Sequence, residues 1–221
     1  MRESYGWVMF RKHREAAVFS RRAVLGAAVV GVAAGSIAAP SLASATLKGT
    51  GRALADVAHE GLQRHSASIT DTRVIAIADF AAPSRAERFY LVDLAGGRAT
   101  SHLVSHGRGS DPAHSGWVER FSNDPGSYAS SAGGYLTGAY YSGKHGRSQR
   151  LIGLEPQNSN AESRAIVIHG AWYVSPAMAR QHGKIGRSEG CFAFGDGSLD
   201  EVLARLGPGR LLYAGRFGLS A

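Results

Sequence analysis

The chain has 221 residues, with 25 Lys and Arg against 17 Asp and Glu for a formal net charge of +8, and one cysteine. That length suffices for one domain with a real core, and a lone cysteine excludes an internal disulfide framework. Six of the basic and two of the acidic residues precede position 46, leaving 19 and 15 beyond it, and no Lys/Arg run or aromatic-basic ladder survives there to bind nucleic acid.

Residues 1–20 are polar and basic; Ser20-Arg21-Arg22 then leads into a run of Ala, Val and Gly as far as Ala39, followed by Pro40 and Ala43-Ser44-Ala45. This is the order of a twin-arginine signal peptide, which predicts cleavage after Ala45 and a periplasmic or other extracytoplasmic location. The run is too weakly apolar and too rich in glycine for a convincing membrane span, so no stable insertion is expected once the leader is removed. The rest divides into an N-terminal helix and linker (46–68), a main domain (69–215) and a short tail (216–221).

Leu54, Val57, Ala58, Gly61 and Leu62 recur at helical spacing between Thr50 and His65. Apolar runs over 74–80, 88–94 and 100–105 read as strands, punctuated by Pro83-Ser84 and Gly96-Gly97. Residues 106–131, dense in Gly, Ser, Asp and Pro, form a loop too long to be an idle connection. Strands resume over 135–141 and 150–154 and bracket Gly143-Lys144-His145-Gly146. The β-branched run Ile166-Val167-Ile168 predicts a buried strand that ends at His169-Gly170. Ser175-Pro176 is a helix start, with Gly183 its stop. Ser198-Leu199-Asp200-Glu201 has capping-box spacing and predicts a helix closed at Gly207-Pro208, before a last strand over 210–214. The pattern is mainly β with a few short helices.

The chemistry concentrates between His169 and Cys191. A thiol with a reference pKa of about 8.5 is a modest nucleophile until an imidazole takes its proton, and a histidine at a strand's rim is the obvious partner. Gly190 permits a positive φ immediately before the cysteine, so backbone N–H groups there can face a developing oxyanion. Lys184 and Arg187 add positive charge that favours thiolate, whereas Glu189 opposes it. The plain alternative is a small buried cysteine and a hydrogen-bonded structural histidine. With no His-Glu-x-x-His, no His-x-His and no paired cysteines, no metal and no cofactor are expected.

His169-Gly170 followed by Ser188-x-Gly190-Cys191 resembles the signature of the L,D-transpeptidase catalytic domain (YkuD-type). Phe121-Ser122-Asn123, Tyr135-x-Thr137-Gly138, Gly143-Lys144-His145-Gly146, Leu151-x-Gly153-Leu154-Glu155 and His169-Gly170-Ala171-x-Tyr173-Val174-Ser175 are similar to its murein L,D-transpeptidase branch. The resemblance covers about Ile69 to Tyr213. It implies a β-sandwich catalytic domain acting as a monomer on peptidoglycan stem peptides. Cys191 would be the nucleophile, His169 the base, and a backbone carbonyl, of Gly170 or Ser188, would orient the base. A donor upstream of the histidine would complete the anion hole, with Tyr135, Tyr140, Tyr141 and His145 in range; Tyr173, His145 and Tyr141 are read as substrate-binding. Two departures stand out: Glu189 occupies a position usually His or aromatic, and Phe192-Ala193-Phe194 replaces a sequence leading to Asn or Arg. Arg187 is the substitute candidate for carboxylate recognition. The implied activity is cross-linking through a Cys191 thioester; the alternatives are a carboxypeptidase using water, or a non-catalytic wall-binding module.

Overall fold

The computed structural model describes residues 50–219, so the expected leader and its expected cleavage site lie outside the described residues. The elements in chain order are α1 (Thr50–His65), β1 (Val74–Asp79), β2 (Glu87–Asp93), β3 (Arg98–Leu103), β4 (Gly133–Gly143), β5 (Gly146–Gly153), β6 (Val167–Gly170), α2 (Pro176–His182), β7 (Phe192–Phe194), α3 (Asp196–Arg205) and β8 (Leu211–Gly215). The mainly β expectation holds, with eight strands in one sheet of order β3-β2-β1-β8-β4-β5-β6-β7.

The sheet curls until its two ends face each other across a common core, which gives the sandwich. Phe89 of β2 meets Phe194 of β7 edge-on with ring centroids 4.8 Å apart, and Tyr135 of β4 meets Phe192 at 5.5 Å. The chain leaving β3 closes the remaining gap: Ser105 N–H donates to the Ala193 carbonyl at 3.0 Å, and Gly107 bridges Ser188 in parallel.

β1 reads as unbroken apolar sequence because both of its faces are covered. Ala76 and Ala78 face the core with Leu199, Val202 and Leu203 of α3 and Leu206 just beyond it, while Ile75 and Ile77 lie with Leu54 and Ala58 of α1. Gly61 lets α1 come close, since a Cβ there would sit 2.9 Å from Leu211 Cδ2. The segment expected to be a tail is docked: the buried Asp79 carboxylate accepts the N–H groups of Phe217 and Leu219 at 2.8 and 2.6 Å.

One local reading needs correction. Ser198 does not open a helix: α3 begins at Asp196, with Gly195 as a cap lacking any side-chain hydrogen bond. The frame is set by Leu199, Val202 and Leu203 on the core, which overrides the capping-box spacing. β7 carries no strand signal of its own, and its three residues are held by β6 on one side and Ser105 on the other. By contrast α2 is capped as expected: Ser175 Oγ accepts from Met178 N–H at 3.1 Å, and Gly183 ends the helix at φ 67°.

Beneath the long loop lies a buried polar chain. Arg88, fully buried, donates to the carbonyls of Ala82 and Val104 and to His106 Nδ1 at 2.6 Å. Since Nδ1 accepts, Nε2 carries the proton and donates to Asp111 Oδ2 at 3.2 Å. Asp111 also accepts from Ser115 and Gly116 N–H. Burial first, then the Arg88 charge, push the His106 pKa from 6.5 down to about 4.

Below pH 6.5 the unfolded chain therefore binds a proton that folded His106 refuses until about pH 4. Stability should be greatest above that window and fall by about 3 kcal/mol through it, at about 1.4 kcal/mol per unit. Urea midpoints measured between pH 7 and pH 4 check this, and His106→Gln, which cannot titrate, should be weaker at pH 7 but show a shallower slope.

Candidate active site

β6 and β7 run parallel with Ile168 opposite Phe192 and His169 opposite Ala193, a register that sets Cys191, immediately before β7, level with Val167. Side chains alternate along a strand, so Cys191 and Ala193 share a face with Val167 and His169. Ile168, Phe192 and Phe194 take the opposite face, in the core. Ser148 of β5 pairs with His169 and Tyr141 of β4 pairs with Ser148, so the same face extends across four strands.

The His169 ring is oriented by a carbonyl. His169 Nδ1 lies 2.8 Å from Gly170 O, so it donates there and Nε2 remains the basic nitrogen. The alternative carbonyl, Ser188 O, is occupied by Arg108 N–H at 2.8 Å. Burial first, then His145 and Lys144, lower the His169 pKa, while the Gly170 carbonyl opposes them, so the ring rests neutral.

Ser188 builds the loop before Cys191 with its hydroxyl. Its Oγ donates to Cys191 O at 2.7 Å and accepts from Gly190 N–H at 3.2 Å, while its N–H donates to His106 O at 2.9 Å. The Gly190 N–H is thereby spent inside the loop, contrary to its expected place in the anion hole. Gly190 has φ +117°, and a Cβ there would lie 2.7 Å from both Ala129 O and Ile166 Cδ1. No other residue fits.

Cys191 Sγ lies 3.5 Å from Ala165 O. Burial is the largest influence and raises the thiol pKa; the Val167 N–H, Lys144 and Arg164 pull it down, and Glu189 pushes it up. The favourable charges are thus Lys144 and Arg164 rather than the expected Lys184 and Arg187. Lys184 Nζ donates to His114 O at 2.5 Å, and Arg187 donates to the carbonyls of Asp111 and Pro112. Glu189 is paired at 3.1 Å with Arg108, whose guanidinium lies 3.9 Å from the Tyr128 ring centroid.

The remaining candidates separate clearly. Tyr135 is buried and donates to Ser131 O at 2.9 Å; Tyr140 donates to Leu203 O at 2.5 Å; Tyr141 lies beneath Arg150, 4.8 Å from its guanidinium carbon. His145 stacks on His169 with centroids 4.2 Å apart and planes 21° apart. Tyr173 reaches the site from the chain after β6. Its pKa is pushed up to about 12, by burial first and then by Cys191 and Glu189, so its phenol remains a donor.

Arg164 is the principal residue that the sequence reading missed. It donates to Ser122 O, Ser131 Oγ and Ala129 O, pinning the long loop while its charge faces the sulfur. Nothing in its polar local sequence marks it, because its acceptors lie more than thirty residues upstream. Lys144 sits inside the Gly-Lys-His-Gly turn already singled out. A cavity of about 480 Å³, lined by His145, Gly170, Trp172, Tyr173 and Asp196 among others, opens beside the base. Among the described residues no group of three or more His, Cys, Asp or Glu is arranged to hold a metal ion. None of their helices is long and apolar enough to cross a membrane.

A family profile described as the L,D-transpeptidase catalytic domain matches residues 48–214. No curated protein sequence matches the chain. Solved structures similar to it include L,D-transpeptidases from Mycobacterium smegmatis and Mycobacterium tuberculosis H37Rv, each 12% identical over 65% of this chain, with TM-scores of 0.40 and 0.41. The matches span 58% and 57% of those two chains. The helical cell shape determining protein Pgp2 of Campylobacter jejuni is also 12% identical, with a TM-score of 0.38 over 75% of this chain and 55% of its own.

Two substitutions test the site's physics. Gly190→Ala forces a Cβ against the Ala129 carbonyl at a positive φ and should cost about 1–3 kcal/mol of stability, read by thermal unfolding. Lys144→Gln removes an exposed cation that favours thiolate. It should leave the melting temperature unchanged while slowing iodoacetamide alkylation of Cys191 at pH 7 by about twofold to fivefold.

Proposed function

Because the chain belongs to the L,D-transpeptidase catalytic domain family, we propose that it is an exported cysteine acyltransferase acting on tetrapeptide stems of peptidoglycan. The observation that carries this reading is the parallel pairing of β6 with β7, which sets Cys191, the residue before β7, next to the His169 strand, with His169 Nδ1 held by the Gly170 carbonyl.

In the forward half-reaction, His169 Nε2 takes the thiol proton as sulfur attacks the carbonyl between the L-centre of diaminopimelate and the terminal D-alanine. A C–S bond forms, the C–N bond breaks, and His169 returns the proton to the departing amine. An acceptor amine on a second stem then attacks the thioester and gives up a proton to His169, which restores it to sulfur. If water attacks instead, the product is a shortened stem and the activity is that of a carboxypeptidase. The tetrahedral oxyanion is stabilised by the Cys191 N–H and the Tyr173 hydroxyl, with Tyr141 and Arg150 flanking the bound stem on the same face. The protein works as a monomer outside the cytoplasm, where the twin-arginine leader would deliver it already folded.

Both reacting groups start neutral, so the base accepts a proton at the moment of attack instead of holding it beforehand. This makes His169 indispensable. Mass spectrometry of disaccharide tetrapeptides incubated with the protein lacking residues 1–45 should show loss of D-alanine and formation of cross-linked dimers. Cys191→Ala should show neither, and His169→Ala should be slower by about 100-fold or more. Tripeptide monomers alone would identify the carboxypeptidase. A folded protein that leaves the substrate unchanged would make this a wall-binding module.

A further inference from the structure

We propose that His145 is a positioning residue for His169: its ring, delivered by the β4–β5 turn, lies flat on the base and holds the plane in which Nδ1 meets the Gly170 carbonyl. The inference rests on the acyl-transfer reading above, and it moves His145 from a substrate contact to a support of the base.

The two rings come from independent elements yet are nearly parallel, 21° apart at 4.2 Å. Register explains how. Ser148 pairs with His169, so the β4–β5 hairpin runs beside β6 and its turn, Lys144-His145, overhangs the strand's end. A single hydrogen bond at Nδ1 fixes one nitrogen but leaves the imidazole free to tilt about it. A flat partner removes that tilt, which matters because a misplaced base loses rate steeply. The stack also covers one face of His169, and His145 forms part of the wall between the base and the 480 Å³ cavity.

The charged groups around the pair are few. Lys144 belongs to the same turn, Glu189 lies beside Cys191, and Arg147 and Asp196 line the cavity. At His145, burial and Lys144 disfavour the proton while Glu189 favours it; at His169, both His145 and Lys144 disfavour it. The stacked pair is therefore neutral at neutral pH, and two adjacent imidazolium ions are excluded. Removing the covering ring would expose His169 to water and make it easier to protonate.

His145→Ala and His145→Phe, compared with the parent protein, test this. With Ala, kcat on the tetrapeptide should fall by about tenfold with KM changed less than twofold, and the acid limb of kcat/KM should move to higher pH. Phe keeps a flat ring without an ionisable group and should recover kcat to within about threefold of the parent. Cys191 is the only cysteine, so iodoacetamide alkylation against pH reads the same base without any turnover. Its profile should shift to lower pH in the Ala protein, because a more basic His169 stabilises the thiolate. A parent protein inert toward muropeptides would sink the acyl-transfer reading, while that alkylation shift would still support the stack. Unchanged pH profiles in His145→Ala, equal losses with Ala and Phe, or a rise in KM alone would each overturn the positioning role.

Discussion

The chain Arg88-His106-Asp111 is the interaction on which the site depends. A guanidinium taken wholly out of water is expensive unless its donors are met. Here it donates to Ala82 O and Val104 O and to an uncharged imidazole, with the Asp111 carboxylate one residue further on. Burial is the main reason that the Arg88 pKa falls to about 9, with Asp79 and Asp111 opposing the fall. The chain joins β2 to the first residues of the long loop, and the backbone of His106 and Arg108 in turn brackets Ser188 from both sides. The loop that carries Ser188 and Cys191 is therefore built on a buried polar network three links away from the sulfur.

Around the sulfur the electrostatics are set for a neutral resting state. Burial outweighs Lys144, Arg164 and the Val167 N–H at the thiol, and outweighs the Gly170 carbonyl at the imidazole. A thiol held protonated is protected from indiscriminate oxidation or alkylation, while Lys144 and Arg164 remain in place to favour its thiolate form. Glu189 would oppose that charge, but Arg108 holds its carboxylate and is itself supported by the Tyr128 ring. The acid beside Cys191 is thus matched by a cation that its own neighbourhood supplies.

Much of the fold was legible because local signals agreed with the tertiary arrangement. α1, β1 and α2 announce themselves through apolar spacing, β-branched residues and a Ser-Pro cap, and each is also the element that packing selects. Where packing and local signal disagree, packing prevails: α3 starts two residues before its apparent capping box because its apolar side chains must face the core. β7 is a strand only because β6 and Ser105 bond to it. At the site, His169-Gly170 and Ser188-x-Gly190-Cys191 stand out in the sequence as two short patterns on either side of α2. The cations do not: Lys184 and Arg187 are near Cys191 in sequence but spend their charge on loop carbonyls, whereas Arg164 reaches the sulfur only because the chain makes a tight turn before β6.

That turn carries strain, and the strain has a use. Ala165 has φ +52°, a conformation that costs a side-chain-bearing residue about 1 kcal/mol, and Tyr128 and His114 adopt the same region in the long loop. Each is held by bonds made elsewhere. Ala165 N–H donates to Glu162 O, Arg164 locks Ala129 O and Ser131 Oγ, and His114 Nε2 is bonded to Ile185 O. The result at Ala165 is a carbonyl turned toward Cys191 Sγ, and the neighbouring Arg164 guanidinium is left facing the same atom. Cys191 precedes a strand of only three residues, so its position is set by contacts outside that strand, from the Ala165 carbonyl to its sulfur and from the Ser188 hydroxyl to its own carbonyl.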